Sequence, residues 1–568
     1  MVRQGIFRVM SPIAVQEGLR VRTLFDAFVS SASSQPDKPA LKGMGGRGPV
    51  FTYGDVLDRT RRLAAGLQMS RYAPLTQIGL LSENRPEWAV AYLAIVSSGK
   101  TVVPMDANLK PGEIGGLIKS ARLEAVFTSG RFEGLLHDLD PRLHLFSFEA
   151  GSSRYWADLM AEPGGFTPMG DRDSLAALIY TSGSTGAPKA VMLTHGNLLS
   201  NLESVARAVS ITADDTFLSI LPLHHTFEAT CGFLSPLSLG ATVVYARSLK
   251  SKDIVEDLAA NRVTCMCGVP LLFEKLCHAI QRRIQEVPWP RRWLFRIFFA
   301  LSGLGWRLGY RWGDRLFAGP RRRAGLGQMR MMVSGGAPLP PSICRFFNLI
   351  GLRLLQGYGL TEASPVVSVN RVSNLRFGSS GPPMPGVEVR IDNPDEHGIG
   401  EVLVRGGNVT PGYKDNPEET AAVIRGGWLC TGDLGRLSDG HLWITGRAKN
   451  LIVSAAGKNI YPEELEERLV ESPYVLEALV FGQRKKGRQG EEVRAIIVPD
   501  MDQFSHELGA GAGPAHRDYI VNRLNGVVAE VNEAVSDYKR ICGFEVRFEE
   551  LEKTSTRKIK RFLYRGND

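Results

Sequence analysis

Several features that would narrow the fold are scarce in this sequence. Its seven cysteines fall in no regular framework, which excludes a disulfide-stapled scaffold and points to reduced thiols in a reducing compartment, the cytoplasm. Cys265 and Cys267 stand close together, but no second Cys or His pair completes a zinc site. No apolar run reaches the length that spans a bilayer. The apolar stretches of the first residues are broken by Arg8, Pro12 and Gln16, so no secretory leader is expected. Aromatic residues make up 8% of the chain and form no RNP-like pattern, and zinc fingers are lacking, so nucleic acid is not an expected partner. There are no internal repeats.

What is present is an ordinary globular composition, 43% hydrophobic and 22% charged. At 568 residues the chain exceeds one hydrophobic core, and about two to four domains are expected. A net charge of +9 favours anionic partners such as nucleotides, CoA or acidic lipid surfaces. From residue 23 to about 240, short β-branched runs (77–81, 101–104, 125–128, 176–181) alternate with amphipathic segments (53–68, 88–97). That alternation continues through 241–245, 252–260, 263–268 and 329–334, and it implies mostly parallel sheets sandwiched by helices. From 387 to 405 short strands with Pro and Gly turns announce a β-rich subdomain, about 385–445. Beyond 446–449 helices at 462–471 and 517–535 and strands at 475–482 and 493–499 suggest a separate α+β domain.

The most informative stretch is YTSGSTGAPKAV, residues 180–191. Gly183 and Gly186 let amide groups converge on an anion, while Thr181, Ser182, Ser184 and Thr185 offer hydroxyls and Lys189 a point charge. Such a loop suits a polyphosphate, with ATP the natural guest. It is not the ordinary P-loop, because Ala187 and Pro188 separate the second glycine from Lys189 and Ala190 follows. The alternative is a flexible Ser/Gly linker, although apolar runs lead in and out of it.

Further motifs follow in order: SGGAPL (334–339), QGYGLTE (356–362), TGD (431–433) behind an apolar run, GRAK (446–449) and KTSTRKIKR (553–561). An Asp at a strand end is suited to accept two ribose hydroxyl protons. Each has a plainer reading: Thr361 and Glu362 as a helix start, Asp433 as an Asx-turn, Lys558 as part of a solvated basic face.

Together these motifs resemble the adenylate-forming superfamily of acyl-CoA synthetases, peptide-synthetase adenylation domains and luciferases, over residues 20–565. The resemblance implies an α/β fold: a large N-terminal domain of two αβ sandwiches plus a small β subdomain (1–446) and a smaller mobile α+β C-terminal domain (447–568), hinged near Lys449. It implies two half-reactions, attack of a carboxylate on the α-phosphate of ATP and then thiolysis of the acyl adenylate. Residue by residue, the loop Thr181 to Lys189 would hold the β- and γ-phosphates, Thr361 would bond phosphate, and Glu362 would ligate Mg²⁺. Gly335, Gly336 and Ala337 would line the adenine slot, with Tyr358 and Gly359 beside the base. Asp433 and Arg447 would take the ribose. Lys558 would bridge carboxylate and nucleotide during adenylation, and rotation about Lys449 would bring Gly457, Lys458 and Asn459, in the loop 456–460, to the thiol.

LPLHHTFE (221–228) and GKNIYPEELE (457–466) resemble the bacterial long-chain fatty acyl-CoA synthetase branch, with His225 beside the acyl carboxylate. Phe227, Cys231, Phe233, Val269 and Leu271 fit a tunnel wall or ordinary core equally well. Ser184, Ala190, Glu552 and Arg557 depart from the usual residues of the family. CoA is the expected acceptor, with Lys485, Lys486 and Arg488 near its phosphates, and an acyl carrier protein is the competing one; a non-catalytic nucleotide- or acyl-binding regulator is the remaining reading. Residues 289–323 interleave aromatics with arginines, and Arg307, Arg311 and Arg315 fall on one helical face if the segment is one helix. Either this face meets an anionic membrane, on the inner side, or it is a packed helix pair with solvated arginines, and Gly303, Gly305 and Gly309 weaken a long helix.

Overall fold

The computed structural model describes residues 21–182, 188–455, 457–484, 490–508, 516–553 and 559–564. Two large sheets dominate. One has eight strands in the order Val366–Val369, Leu354–Gly359, Met331–Ser334, Cys265–Gly268, Thr216–Ser219, Thr242–Tyr245, Pro39–Lys42 and Val50–Thr52, parallel except at its two edges. The other has seven, in the order Gly412–Tyr413, Pro188–Thr194, Leu175–Ser182, Thr101–Met105, Gln77–Leu81, Ala125–Thr128 and His144–Ser147. It is parallel apart from the hairpin Leu175–Ser182/Pro188–Thr194 and the short strand beside it.

Local chemistry sets these elements. Thr23 with Asp26 and Thr52 with Asp55 form capping boxes that start the helices Leu24–Ser34 and Tyr53–Gln68. Pro86 opens the helix Pro86–Ser97, in which every residue but Glu87 is buried. A helix apolar on all sides needs cover on all sides, and this one shares a hydrophobic cluster with strands of both sheets. Its Trp88 and Tyr92 meet Phe233 edge-on, with centroids 5.9 and 5.6 Å away.

A five-stranded antiparallel sheet, from Val387–Asp392 to His441–Arg447, forms the β-rich part. After it, three strands (Val475–Arg484, Glu491–Pro499, Gly543–Val546) carry the helices Pro462–Val470 and Arg517–Glu533 around a separate core that includes Leu465, Val480, Ile497 and Leu524. All seven cysteines are free thiols. No helix among the described residues is long and apolar enough to cross a membrane.

Two expectations are corrected here. Arg307, Arg311 and Arg315 do not share a helix, because Trp289–Arg307 ends before Gly309 (φ +78°) and helix resumes only at Gly313–Leu316. Gly303 and Gly305 sit inside the first helix instead, and a Cβ on Gly305 would lie 2.7 Å from the Trp312 ring, so the glycine lets that ring close on the helix. Asp433 is not at a strand end either: it lies within the eleven-residue strand Trp428–Ser438, which continues past Gly432 at φ +68°.

Candidate active site

The carboxyl ends of the parallel strands open on one side of the eight-stranded sheet, where ligands of open α/β sheets bind. Gly335 follows Met331–Ser334, Tyr358 and Gly359 end Leu354–Gly359, and the segment bearing His224 and His225 follows Thr216–Ser219. Gly335 is buried while Gly336 (φ +85°) and Ala337 are exposed. A side chain at Gly335 would come within 3.0 Å of the Phe227 ring, so backbone and aromatic face lie in contact there.

The Tyr358 hydroxyl donates to Asp433 Oδ2 at 2.7 Å, and Arg447 Nε pairs with Asp433 Oδ1 at 2.9 Å. Register explains the second contact, since Asp433 faces Arg447 across the Trp428–Ser438/His441–Arg447 ladder. Burial, then the Asp433 carboxylate, raises the Tyr358 phenol well above its ordinary value, which keeps it a donor. The Asx-turn reading of Asp433 does not hold: the bonds of its side chain reach Tyr358, 75 positions away, and Arg447.

Thr361 and Glu362 lie in a one-turn 3₁₀ segment, Thr361–Ala363, whose N-cap is Leu360, so the Thr361 hydroxyl does not cap a helix. It lies 3.4 Å from the Thr226 hydroxyl instead. The turn is held from outside: Asn201 donates to the Val366 carbonyl (2.9 Å) and Asn408 to the Ala363 carbonyl (2.9 Å). Gly359 is required beside it, since a Cβ there would sit 1.9 Å from the Pro365 carbonyl. Glu362 Oε1 accepts from the Tyr413 hydroxyl at 2.8 Å. Burial and the Glu362 charge push that phenol upward, so it too remains a donor.

Thr181 pairs with Lys189 across the hairpin. Lys189 forms an ion pair with Glu419 at 2.7 Å and lies 5.5 Å from the Tyr413 ring centroid. Tyr413 thus joins the hairpin to Glu362. Among the expected site residues, Gly183, Ser184, Thr185, Gly186 and Lys558, like Ala456, Lys485, Lys486 and Arg488, lie outside the described residues, as does the Ser182 side chain.

The His224 and His225 rings lie 4.0 Å apart between centroids with their planes tilted by 46°, and His224 Nε2 lies 3.6 Å from Asp106 Oδ2. Burial lowers the His224 pKa to about 4 although Asp106 opposes it, so this imidazole is neutral at pH 7. Glu228, in the π-helical segment Glu228–Leu234, is fully buried. Neither of its oxygens makes a well-formed hydrogen bond, and burial pushes its pKa up to about 8 against the opposing pull of Ser219 and the Ile220 and Leu221 amides. Lys449 sits in the 3₁₀ turn Ala448–Asn450 directly after Arg447. Gly457, Lys458 and Asn459 stand apart from the residues above: Lys458 pairs with Glu396 in the turn after Val387–Asp392, at 3.9 Å.

Sequence reading missed Tyr413, Glu419, Asn201 and Asn408, and noted Thr226 only as part of LPLHHTFE. Only Tyr413 carried a local signal, the TPGY turn just before the helix cap Asn416.

A model described as "AMP-binding enzyme" matches residues 28–414, and one described as "AMP-binding enzyme C-terminal domain" matches residues 449–566. The long-chain-fatty-acid–CoA ligase FadD15 of Mycobacterium bovis is 30% identical over 550 residues, covering 90% of this chain and 89% of that protein. A feruloyl-CoA synthase of Amycolatopsis sp is 30% identical over 469 residues, 80% of this chain and 84% of that one. The crystal structure of the anthranilate CoA ligase AuaEII with anthranoyl-AMP superposes with a TM-score of 0.77 at 22% identity, over 96% of this chain and 97% of that one. These proteins are named for different acids, and each name is that of a CoA ligase or synthase. The chain belongs to the AMP-binding, adenylate-forming family of acid–thiol ligases.

Proposed function

We propose that this protein is an ATP-dependent long-chain fatty acid–CoA ligase acting in the cytoplasm, which forms an acyl adenylate with release of pyrophosphate and then an acyl-CoA with release of AMP. The observation that carries the nucleotide half is the Tyr358–Asp433–Arg447 cluster beside the Thr361–Glu362 turn, at the carboxyl ends of the strands. Asp433 and Arg447 would take the ribose, Tyr358 and Gly359 would face the base, and Gly335, Gly336 and Ala337 would line its slot. The hairpin loop Thr181 to Lys189 and Thr361 would hold the leaving phosphates. Glu362 is a single half-buried carboxylate, and no group of three metal-ligating side chains converges among the described residues. Such a donor set fits Mg²⁺, which takes most of its oxygens from phosphates and water. The ion would neutralise charge between acid and triphosphate.

Carboxylate and triphosphate repel each other, so the site must supply cations in place, and Arg447, Lys189 and Lys558 would do so. His225 would stand beside the acyl carboxylate. The fatty-acid class is supported by the FadD15 match and by the apolar cluster that Phe227 and Val269 join at the mouth of the site. Rotation near Lys449, between residues 1–446 and 447–568, would exchange Lys558 for the loop bearing Gly457, Lys458 and Asn459. The acceptor is CoA, and an acyl carrier protein offers the same phosphopantetheine thiol.

The test is pyrophosphate release across a series of acids, with and without CoA. Release that grows with chain length, and discharge of the adenylate by free CoA, are expected. Preference for an aryl acid such as ferulate would overturn the acid class, and discharge by a carrier protein alone would move the acceptor. No release with any acid would leave only the regulatory reading. Lys558→Ala is expected to keep ATP binding and lose pyrophosphate release.

A further inference from the structure

The helix Trp289–Arg307 has apolar residues on both faces. Its inner stripe, Phe295, Phe298 and Phe299 with Ser302 and Gly305, packs on the domain. The opposite stripe points outward, and its side chains are large: Trp289 is 73% exposed, Trp293 62%, Leu304 49% and Leu301 39%. They recur at i, i+4, i+12 and i+15, one sector of the helix that Ala300 also shares, and the stripe continues to exposed Leu308 and Tyr310 past the helix end. Over 19 residues this makes an apolar strip about 28 Å long. Scattered exposed apolar residues need no explanation, but a continuous strip of them does.

Charge identifies what covers it. Residues 289–323 hold nine arginines and a single acid, Asp314, so a net +8 of the chain's +9 sits in this segment. Asp314 is already paired with Arg353 at 3.3 Å. Arg291, Arg296, Arg307, Arg315, Arg322 and Arg323 are exposed and form no ion pair among the described residues. A second copy of the chain would bring the same positive charge to the interface and be repelled. An anionic lipid surface matches both properties: tryptophans and leucines enter the headgroup and acyl boundary while arginines meet the phosphates around them.

We infer that the outward face of Trp289–Arg307, with its flanking arginines, seats the protein flat on an anionic phospholipid bilayer. The docked helix is joined to the site by packing, because Phe295, Phe298 and Phe299 belong to the same hydrophobic cluster as Phe227 and Val269. Apolar packing therefore runs from the lipid-facing helix to Gly335. That the acid is drawn from the bilayer along this side rests on the long-chain reading; the docking itself does not.

The test uses the full chain and vesicles, without acid or nucleotide. Flotation with phosphatidylcholine vesicles and with the same lipid mixed with phosphatidylglycerol should show binding only to the mixed vesicles, and release at about 0.5 M salt. The double variant Trp289→Ser/Trp293→Ser should weaken partitioning about ten-fold, and Arg291→Glu/Arg296→Glu/Arg307→Glu about a hundred-fold. Both variants should keep the wild-type rate of pyrophosphate release with a short soluble acid, which separates lost docking from lost folding. Wild-type protein that stays off anionic vesicles at low salt would overturn the proposal, as would binding that neither variant weakens. A wild-type dimer that the tryptophan variant turns into monomer would assign the strip to a second copy instead. A chain that binds vesicles but shows no long-chain preference would sink the acid class and leave docking standing.

Discussion

Two carboxylates of this chain lie buried, and their surroundings could hardly differ more. Asp433 is 5% exposed, yet each of its oxygens has a partner, the Tyr358 hydroxyl on one and the Arg447 guanidinium on the other. Glu228 is 0% exposed, and neither oxygen has a well-formed hydrogen bond. Burial alone penalises a charge; burial with a cation and a donor organises one. Asp433 is thus a carboxylate fixed by its partners, with lone pairs left over. Glu228 is a neutral acid at pH 7, folded over Gly232, where a Cβ would meet its Oε1 at 2.3 Å. Two buried carboxylates are thus set apart, one held by a cation and a donor and the other left uncharged, by their neighbours alone.

The comparison breaks most visibly at Asp433. Asp433→Ala removes the carboxylate that would accept from both ribose hydroxyls and leaves the Arg447 guanidinium without its partner. The expected loss is about 3–4 kcal/mol, some 10²–10³-fold in kcat/KM for ATP. Steady-state kinetics with varied ATP, with circular dichroism to show the fold intact, measures it; a loss under about three-fold would remove Asp433 from the nucleotide site.

Glu228 should respond to pH rather than to ATP. Its native pKa of about 8 lies above its ordinary value of 4.5, so the folded state holds the proton more tightly than the unfolded one. The stability this contributes is complete below about 4.5 and is lost as pH rises through about 8. In Glu228→Gln that slope should vanish: the variant matches wild type at acid pH and exceeds it by about 2–3 kcal/mol at pH 9, allowing for relaxation around the carboxylate. Thermal unfolding at pH 5, 7 and 9 reads this directly. Parallel curves for the two proteins would mean that Glu228 finds partners and the contrast with Asp433 is false.

Much of this was legible beforehand. Strands at 77–81 and 125–128 have the expected bounds, because a short β-branched run between turn residues has few other ways to pack. The helix Pro86–Ser97 was readable as amphipathic at best, and its burial on every side comes from a second sheet that local sequence does not announce. Tyr358, Asp433 and Arg447 were named from their motifs and lie in contact, but the placement of Asp433 at a strand end failed where Gly432 carries the strand onward. The same applies to the arginine face, which Gly309 interrupts. What escaped altogether are the supports. Asn201 reaches the Val366 carbonyl across 165 positions and Tyr413 reaches Glu362 across 51, and no local pattern encodes a partner that distant. Glu228 was noted only as part of a motif, since its neutrality comes from burial, which the fold and not the local sequence supplies.

The smallest expected effect tests whether the partners of Asp433 matter singly. Tyr358→Phe keeps the ring that would face the base and deletes only the hydroxyl donated to Asp433 Oδ2 at 2.7 Å. Two outcomes compete. The hydroxyl occupies one carboxylate oxygen, so its removal could free that oxygen for ribose; it also fixes the carboxylate plane, so its removal could let Asp433 turn toward Arg447 alone. A carboxylate accepts at about four lone-pair positions, so tyrosine and ribose need not compete, and the orienting effect wins. KM for ATP should therefore rise about five-fold, near 1 kcal/mol, with kcat unchanged. Combined with Arg447→Lys, which keeps the charge but loses the planar fork, the two losses should exceed their sum, because the carboxylate then has neither fixed partner. Strict additivity would mean that Asp433 is held by the ladder between Trp428–Ser438 and His441–Arg447, and that its contrast with Glu228 lies in the backbone and not in the side chains around it.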